Sequence, residues 1–164
     1  MSLQEKKMIL DILQKDCRLS VDQIALMVGL PSQQVQEAIR ELEENRTILK
    51  YAALINWEKV EDEVVTAMID VKVVPQRDVG FDQVAERIYR YPEVKSLSLM
   101  SGGYDLSVVI EGKTMKEVAL FVAEKLAVLE HVQATATHFV LKRYKSDGAI
   151  FDEKAEDHRL KVSP

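Results

Sequence analysis

The sequence predicts an α+β protein in which an N-terminal three-helix domain precedes a ferredoxin-like β-α-β-β-α-β sandwich. Apolar residues recur at helical spacing through the first 50 residues, and beyond residue 62 strand-like alternation gives way twice to a helical pattern. Two β-α-β units in series form a sandwich with both helices on one side of an antiparallel sheet. We place the helical domain at 1–50, a strand linker at 51–61, the sandwich at 62–145 and a C-terminal tail at 146–164.

The composition is that of a soluble globular protein and argues against several other classes. Of 164 residues, 47% are hydrophobic and 30% are charged, and no apolar run reaches the ~18 residues of a membrane span. Cys17 is the single cysteine, so we expect neither a disulfide framework nor a thiolate metal cluster. No signal peptide is recognisable, and we expect a cytoplasmic protein without a membrane partner. The net charge of −5 argues against a surface that attracts nucleic acid everywhere, but it allows a local contact surface.

The first 50 residues predict three short helices arranged as a helix-turn-helix. The first helix spans residues 4–15. Ser20 caps the second, and Gly29 ends it because glycine adopts a sharp turn at low cost. Residues 31–32 then open the third helix. The inward residues of the three helices are Met8, Ile9, Ile12 and Leu13; Ile24, Ala25 and Val28; and Val35, Ala38, Ile39 and Leu42.

The exposed start of the third helix carries polar side chains that suit contacts with base edges. Glutamine pairs bidentately with adenine, and arginine binds guanine or phosphate. Residues 1–50 hold seven Lys/Arg and eight Asp/Glu, so phosphate attraction is weak per monomer, and an ordinary solvated helix face remains an alternative interpretation. The residues that we assign to DNA contact are Ser32, Gln33, Gln34, Gln36, Arg40 and Lys50.

Residues 47–56 predict a strand that leads into the second domain, and the absence of a Gly/Ser-rich stretch predicts an ordered linker. The strands of the sandwich are expected at 64–74, 94–100, 106–110 and 132–141. One helix is built on Phe81, Val84, Ala85 and Ile88, and the other begins at Thr114 and buries Val118, Phe121, Val122, Leu126 and Leu129.

The pair Gly102-Gly103 predicts a tight two-residue hairpin at the centre of the sandwich, because glycine reaches positive φ without a steric penalty. The helices should cover one face of the sheet. We expect the other face to carry Met68, Thr135, Thr137 and Phe139, and such a partly apolar face favours pairing with a second copy of the chain.

This combination resembles the leucine-responsive/AsnC family of transcription regulators, also called feast/famine regulators. The resemblance covers residues 3–145. Residues 24–30 look like the second helix and turn of the family, residues 31–45 look like its recognition helix, and residues 48–51 look like the strand that follows. Residues 101–105, Ser-Gly-Gly-Tyr-Asp, look like its central hairpin motif, and residues 135–137 look like its last-strand threonine motif.

The resemblance implies a regulator that binds double-stranded DNA and responds to a small effector, usually an amino acid. It also implies a homodimer formed through the sheets, which assembles further to a tetramer or octamer. The effector would lie between dimers near the hairpin. The residues that we assign to effector binding are Ser101, Gly102, Gly103, Tyr104, Asp105, Thr135 and Thr137.

The chemistry of an amino acid fits these residues. The N–H groups of Gly102 and Gly103 can turn toward its carboxylate, as in other backbone nests. Asp105 has the charge that its ammonium requires, or instead caps the hairpin. Tyr104 offers a wall and a hydroxyl, and a threonine of the last strand can close the site.

Two alternatives remain open at this stage. The acidic balance of residues 1–50 fits an effector sensor with weak or no DNA binding. Siroheme decarboxylases share the architecture, but the three histidines are scattered, and no metal-ligand spacing, P-loop or Gly-x-Ser-x-Gly motif is found. We therefore assign no catalytic residue and expect no enzyme activity, cofactor or metal site. Residues 152–161 are expected to add a short helix or to form a mobile end.

Overall fold

The computed structural model describes residues 1–60, 64–74 and 80–151. The chain divides into two compact units, Met1–Ile55 and Asn56–Pro164. The helix considered for residues 152–161 lies outside the described residues, as do residues 61–63, where the predicted sandwich begins.

Three helices form the N-terminal unit, and their bounds are α1 Leu3–Lys15, α2 Val21–Val28 and α3 Ser32–Glu44. Ile9, Ile24 and Val35, one from each helix, are buried at the centre of its core. Met8 was expected to face inward but is 43% exposed. It lies one residue from Ile9, about 100° around the helix, and so falls on the flank of the buried face.

Two serines set the starts of α1 and α2. Ser2 and Ser20 each accept a hydrogen bond from the N–H three residues later, and Glu5 and Gln23 accept from the serine N–H in return. Gly29 ends α2 with a φ of 70°, in the left-handed region. The predicted roles of Ser20 and Gly29 are therefore confirmed.

The strand predicted for residues 47–56 does not form in the single chain. These residues adopt neither helix nor strand, and a 3₁₀ turn follows at Trp57–Val60. A strand requires a hydrogen-bonded neighbour, and no segment within the described residues pairs with this one. Leu49, Leu54 and Ile55 consequently remain exposed.

The second unit is a four-stranded antiparallel sheet with strand order β2-β3-β1-β4, which confirms the predicted ferredoxin-like arrangement. The strands are β1 Val65–Val73, β2 Val94–Leu99, β3 Leu106–Gly112 and β4 Val132–Phe139. The helices are α4 Asp82–Tyr89 and α5 Met115–Phe121, and α5 continues as a π-helical turn at Val122–Leu126. Thr114 caps α5, as predicted, by accepting from the Glu117 N–H at 3.1 Å.

The core of this unit lies between one face of the sheet and the two helices. The inward residues of β1 are Ala67, Ile69, Val71 and Val73, all at most 2% exposed. They belong to one buried cluster with Val84 and Ile88 of α4, Val118 and Phe121 of α5, and Leu126. The predicted alternation of β1 is thus confirmed.

Strand β4 presents its threonines to the helix-covered side of the sheet, whereas the sequence analysis placed them on the uncovered side. Directly opposite residues of antiparallel strands point to the same face. Thr135 is opposite Val71, Thr137 is opposite Ile69, and Phe139 is opposite Ala67, and these β1 residues are buried. The prediction for the β4 residues was therefore wrong, while Met68 does lie on the uncovered face.

A bulge explains this difference. Lys72 is opposite Ala134 but Val73 is opposite Val132, so Gln133 is an extra residue in β4. One extra residue moves the following side chains to the other face. The uncovered face consequently carries Met68, Asp70 and Lys72 of β1; Ser96 and Ser98 of β2; Ser107 and Val109 of β3; and Ala134, Ala136 and His138 of β4.

The connection between β2 and β3 is longer than the predicted two-residue turn. Leu99 pairs with Leu106, and the Met100 N–H donates to the Asp105 carbonyl at 2.7 Å, which leaves residues 101–104 as the loop. Neither glycine of this loop is among the residues with positive φ, so the predicted conformation was wrong.

A tight two-residue turn occurs instead near the C-terminal end of the described chain. It joins β5 Lys145–Ser146 to β6 Ala149–Ile150. Asp147 and Gly148 have φ values of 47° and 83°, and an Asp-Gly pair with two positive φ values is typical of a type I′ hairpin. The sequence analysis assigned these residues to the tail and missed this signal.

Candidate functional site

Helix α3 buries one face and exposes a polar stripe on the other. Val35 and Ala38 are buried in the core that the three helices share, and Leu42 is also buried. Residues that are three, four or seven positions apart lie on the same face of a helix. The exposed residues with this spacing form a stripe on the face opposite the buried one. The residues of this outward stripe are Gln33, Gln36, Glu37, Arg40 and Glu44, all of them exposed.

The structure brings only some of the predicted DNA-contact residues together. Gln33, Gln36 and Arg40 share the outward stripe, whereas Gln34 lies at its edge. Ser32 is half-buried at the first position of α3. Lys50 is exposed in the irregular segment beyond the helix, and the single chain does not place it on the stripe.

Pro31 precedes α3 and gives its first turn no side-chain cap. Its carbonyl accepts from the N–H groups of Gln34 and Val35 at 3.0 and 3.2 Å. No acidic residue lies in this first turn. The positive end of the helix dipole is therefore not neutralised locally, which favours an approaching phosphate.

Three of the four carboxylates of α3 contact a basic side chain or a tyrosine hydroxyl. Glu41 accepts from the Lys6 ammonium at 2.6 Å, and this hydrogen bond holds the pKa of Glu41 below its usual value. Glu43 accepts from the Tyr51 hydroxyl at 2.9 Å; burial first, and then this bond, raise the pKa of Tyr51 to about 12. Glu44 lies 3.7 Å from Arg40.

The sequence analysis missed Glu37, which is the remaining carboxylate of α3. Its Oε1 accepts from Gln33 Nε2 at 3.2 Å, and Gln33 is another side chain of the outward stripe. The signal was present in the sequence, because Glu37 stands four residues after Gln33 and three before Arg40.

The loop of residues 101–104 is the open part of the predicted effector site. Ser101, Gly102, Gly103 and Tyr104 are all exposed. A Cβ atom added to either glycine would meet no heavy atom within 4 Å. The N–H groups of these two glycines donate no hydrogen bond to the described part of the chain. The loop therefore offers free backbone donors in open space.

Asp105 is occupied within the sheet, unlike the loop before it. Its carboxylate accepts from the Val73 N–H at 2.9 Å and from the Lys72 ammonium at 3.2 Å. The bond from Val73 and then the Lys72 charge hold the pKa of Asp105 below its usual value. The carboxylate thus joins the loop to the end of β1 through these two contacts.

The predicted threonines lie apart from the loop in the single protomer. Thr135 is opposite Val71, which is itself opposite Leu106 at the end of the loop. Two strand spacings of ~4.8 Å place Thr135 about 10 Å from Leu106. Thr137 is further along β4 by two residues. One protomer therefore does not assemble these residues into a single pocket.

The described surface contains cavities elsewhere. One of ≈ 330 Å³ lies between β3 and α5 and includes Glu93 and Lys125. Another, of ≈ 420 Å³, lies between α4 and β2 and includes Tyr89. A third, of ≈ 350 Å³, lies along α4. None of these three cavities is lined by residues 101–104, Thr135 or Thr137.

Residues 1–60, 64–74 and 80–151 lack two kinds of structure. They contain no cluster of three or more His, Cys, Asp or Glu side chains that could hold a metal ion. In the same ranges, no helix is both long and apolar enough to cross a membrane.

Comparison with known families and proteins gives matches to both units. A family described as "Lrp/AsnC ligand binding domain" matches residues 66–150, and one described as "winged helix-turn-helix DNA-binding" matches residues 6–48. The chain is 53% identical over 166 residues to YugG of Bacillus subtilis (strain 168), named as an uncharacterized HTH-type transcriptional regulator, with 100% of both chains covered.

Two further proteins show the same similarity. The chain is 30% identical over 142 residues to the HTH-type transcriptional regulator LrpA of Pyrococcus abyssi, covering 87% of this chain and 98% of that one. The transcriptional regulator NMB0573 of Neisseria meningitidis, solved as a complex with L-Met, is 27% identical with a TM-score of 0.70. That match covers 89% of this chain and 93% of the other. These three relatives are named as regulators, and none of them as an enzyme.

Proposed function

The chain belongs to the Lrp/AsnC family of transcriptional regulators, and from this we propose that its assembly or DNA affinity responds to an amino acid. It is a DNA-binding regulator with a ligand-binding domain. The proposal concerns the identity of the effector, the residues that contact effector and DNA, and the assembly of the protomers.

The proposed DNA contact is the outward stripe of α3 with Ser32, Gln34 and Lys50 beside it. Amide and guanidinium groups can bind base edges in the major groove. Because residues 1–50 hold slightly more acidic than basic side chains, phosphate attraction is weak for one protomer. At least two recognition helices, on half-sites about one helical turn apart, would supply sufficient affinity.

The observation that carries the effector proposal is the open loop whose Gly102 and Gly103 N–H groups have no acceptor within the described residues. Two adjacent N–H groups without protein partners suit a carboxylate. The complex of a related regulator with L-Met supports an amino acid as the ligand class. Since Thr135 lies about 10 Å from Leu106 within one protomer and Thr137 lies further along β4, we propose that a neighbouring protomer completes the site.

The proposed assembly is a homodimer that associates further to a tetramer or octamer. Its contact surfaces are the uncovered face of the sheet and residues 47–56. Met68 on that face and Leu49, Leu54 and Ile55 in that segment are exposed apolar side chains. Pairing with the same segment of a second copy would give residues 47–56 the hydrogen-bonded neighbour that the described part of the single chain does not supply.

One observation favours a second candidate function. The acidic balance of residues 1–50 would also fit a regulator that senses its effector but binds DNA weakly. A gel shift against the DNA upstream of the protein's own coding region separates the two candidates. Retarded complexes at moderate salt support the first, and their absence at every protein concentration supports the second.

A thermal-shift screen against the common amino acids tests the effector. A ligand that binds only the folded state stabilises it by RT ln(1 + [L]/Kd), so the unfolding temperature rises once the ligand concentration exceeds Kd. We expect at least one amino acid to do so. If none changes the unfolding temperature at millimolar concentration, the amino-acid proposal is wrong.

A further inference from the structure

We propose that Glu37 is a specificity residue that reads the exocyclic amino group of a cytosine in the major groove. The inference rests on the proposed binding of DNA by α3. It adds a base preference that the glutamines and Arg40 do not supply.

Glu37 lies where a base-reading side chain must lie. It stands between Gln33 and Arg40 on the outward stripe, at spacings of four and three residues, opposite the buried face around Val35 and Ala38. It is in the first half of α3, and the N-terminal residues of a recognition helix contact base edges. Its side chain therefore enters the groove whenever Gln33 and Arg40 do.

Glu37 differs from the other carboxylates of α3 in what it contacts. Glu41 is bonded to Lys6 and Glu43 to Tyr51, and Glu44 lies beside Arg40 near the end of the helix. Glu37 accepts only from Gln33 within the described residues, through Oε1. Its Oε2 is available for a donor on the DNA.

The chemistry of the carboxylate then selects the base. An ionised carboxylate only accepts hydrogen bonds. Cytosine presents the N4 amino donor in the major groove, whereas guanine presents the N7 and O6 acceptors and thymine the O4 acceptor. Adenine has an N6 donor but places the N7 acceptor beside it. Glu37 therefore favours cytosine and is repelled most by guanine and thymine.

The same charge weakens binding to unrelated DNA. A carboxylate in the groove gains nothing from phosphates and must lose water, so an incorrect sequence leaves it buried without a donor. Specificity increases when an incorrect partner is penalised as well as when the correct partner is favoured. The acidic character of α3 thus serves discrimination at the cost of overall affinity.

The test is selection of bound duplexes from a random pool by the full-length protein at one fixed salt concentration. The variants are Glu37→Gln and the control Glu43→Gln, which removes the same charge from the same helix while Gln still accepts from Tyr51. We expect the wild type and the control to enrich the same motif with a cytosine at one position. Glu37→Gln should lose that cytosine and shift toward adenine, because glutamine pairs with adenine.

A binding titration measures how strongly each protein prefers the cytosine. Replacing the selected C·G pair by T·A should weaken the wild type and the control by about 10-fold or more, and Glu37→Gln much less. If Glu37→Gln enriches the wild-type motif or keeps the full 10-fold penalty, the inference is wrong while DNA binding stands. If the wild type enriches no motif at all, base reading by α3 is refuted, and the inference fails with it.

Discussion

The Asp105 carboxylate accepts a hydrogen bond from the Val73 N–H at 2.9 Å, which ties the loop before β3 to the end of β1. Lys72, next to Val73, adds an ion pair at 3.2 Å. The open loop of residues 101–104 is therefore attached to a central strand of the sheet. An effector bound at this loop would act on the strand whose uncovered side is a proposed contact surface.

The Asp105 contacts predict a pH-dependent contribution to stability. Because the pKa of Asp105 is lowered in the folded state, the carboxylate stabilises the fold at pH values above the unfolded-state pKa of about 3.9. This contribution is lost as the pH falls through the folded-state pKa. We expect Asp105→Asn to unfold more easily than the wild type at neutral pH. The difference in free energy of unfolding should shrink below about pH 4.

Urea unfolding of both proteins at one protein concentration, across the pH range, measures this difference. A difference that persists unchanged into acid would mean that the charge of Asp105 does not contribute. The side chain would then act only through its shape or through a hydrogen bond that asparagine also forms.

Gly102→Val tests the proposed effector donors without disturbing the fold. Because φ at Gly102 is not positive and the surrounding space is open, the variant should unfold at the wild-type temperature. The branched side chain should cover the N–H groups and weaken amino-acid binding by about 1.5–3 kcal/mol, the value of a hydrogen bond to a charged group. Calorimetry with Gly102→Ala as a smaller variant provides a graded comparison. Equal amino-acid affinity in all three proteins would exclude this loop as the effector site.

Arg40→Ala tests the DNA surface. If Arg40 makes a bidentate base contact, its loss should weaken specific binding by about 1–3 kcal/mol and relax the preference at one base pair. Arg18→Ala is the matched control, because Arg18 carries the same charge in the same unit but lies outside the helices, paired with Asp16. If the two variants lose equal DNA affinity at a fixed salt concentration, Arg40 contributes only general attraction to the phosphates.

Met68→Glu tests the assembly. Met68 is 46% exposed on the uncovered face, and a charge there should oppose burial between two sheets. Met115→Glu is the control, since Met115 is 53% exposed at the start of α5. We expect sedimentation to show no 18.6 kDa monomer of the wild type or the control at micromolar concentration, and a shift toward monomer for Met68→Glu. A stable wild-type monomer would contradict the proposed assembly.

Features determined by neighbouring residues were predictable from the sequence. Ser20, Gly29 and Thr114 act within a few residues of their own position, so their capping roles followed from local chemistry. The burial of alternate residues in β1 followed equally, because branched apolar side chains mark one face without ambiguity.

Features determined by distant partners were not predictable. The face of Thr135 depends on a bulge at Gln133, and small residues alternating with threonine give no apolar contrast that could reveal it. The engagement of Asp105 depends on Val73, 32 residues away in the chain. Residues 47–56 carry a strand pattern, but no segment within residues 1–60, 64–74 and 80–151 pairs with them.

The account depends most on coupling between effector and DNA. Linkage requires that a ligand which changes DNA affinity by some factor has its own affinity changed by the same factor when DNA is bound. The decisive measurement is a pair of titrations at one salt concentration: DNA binding with and without the best amino acid, and amino-acid binding with and without the selected duplex. We predict equal factors in both directions, about 5- to 150-fold. An amino acid that binds tightly but leaves DNA affinity unchanged would contradict the account.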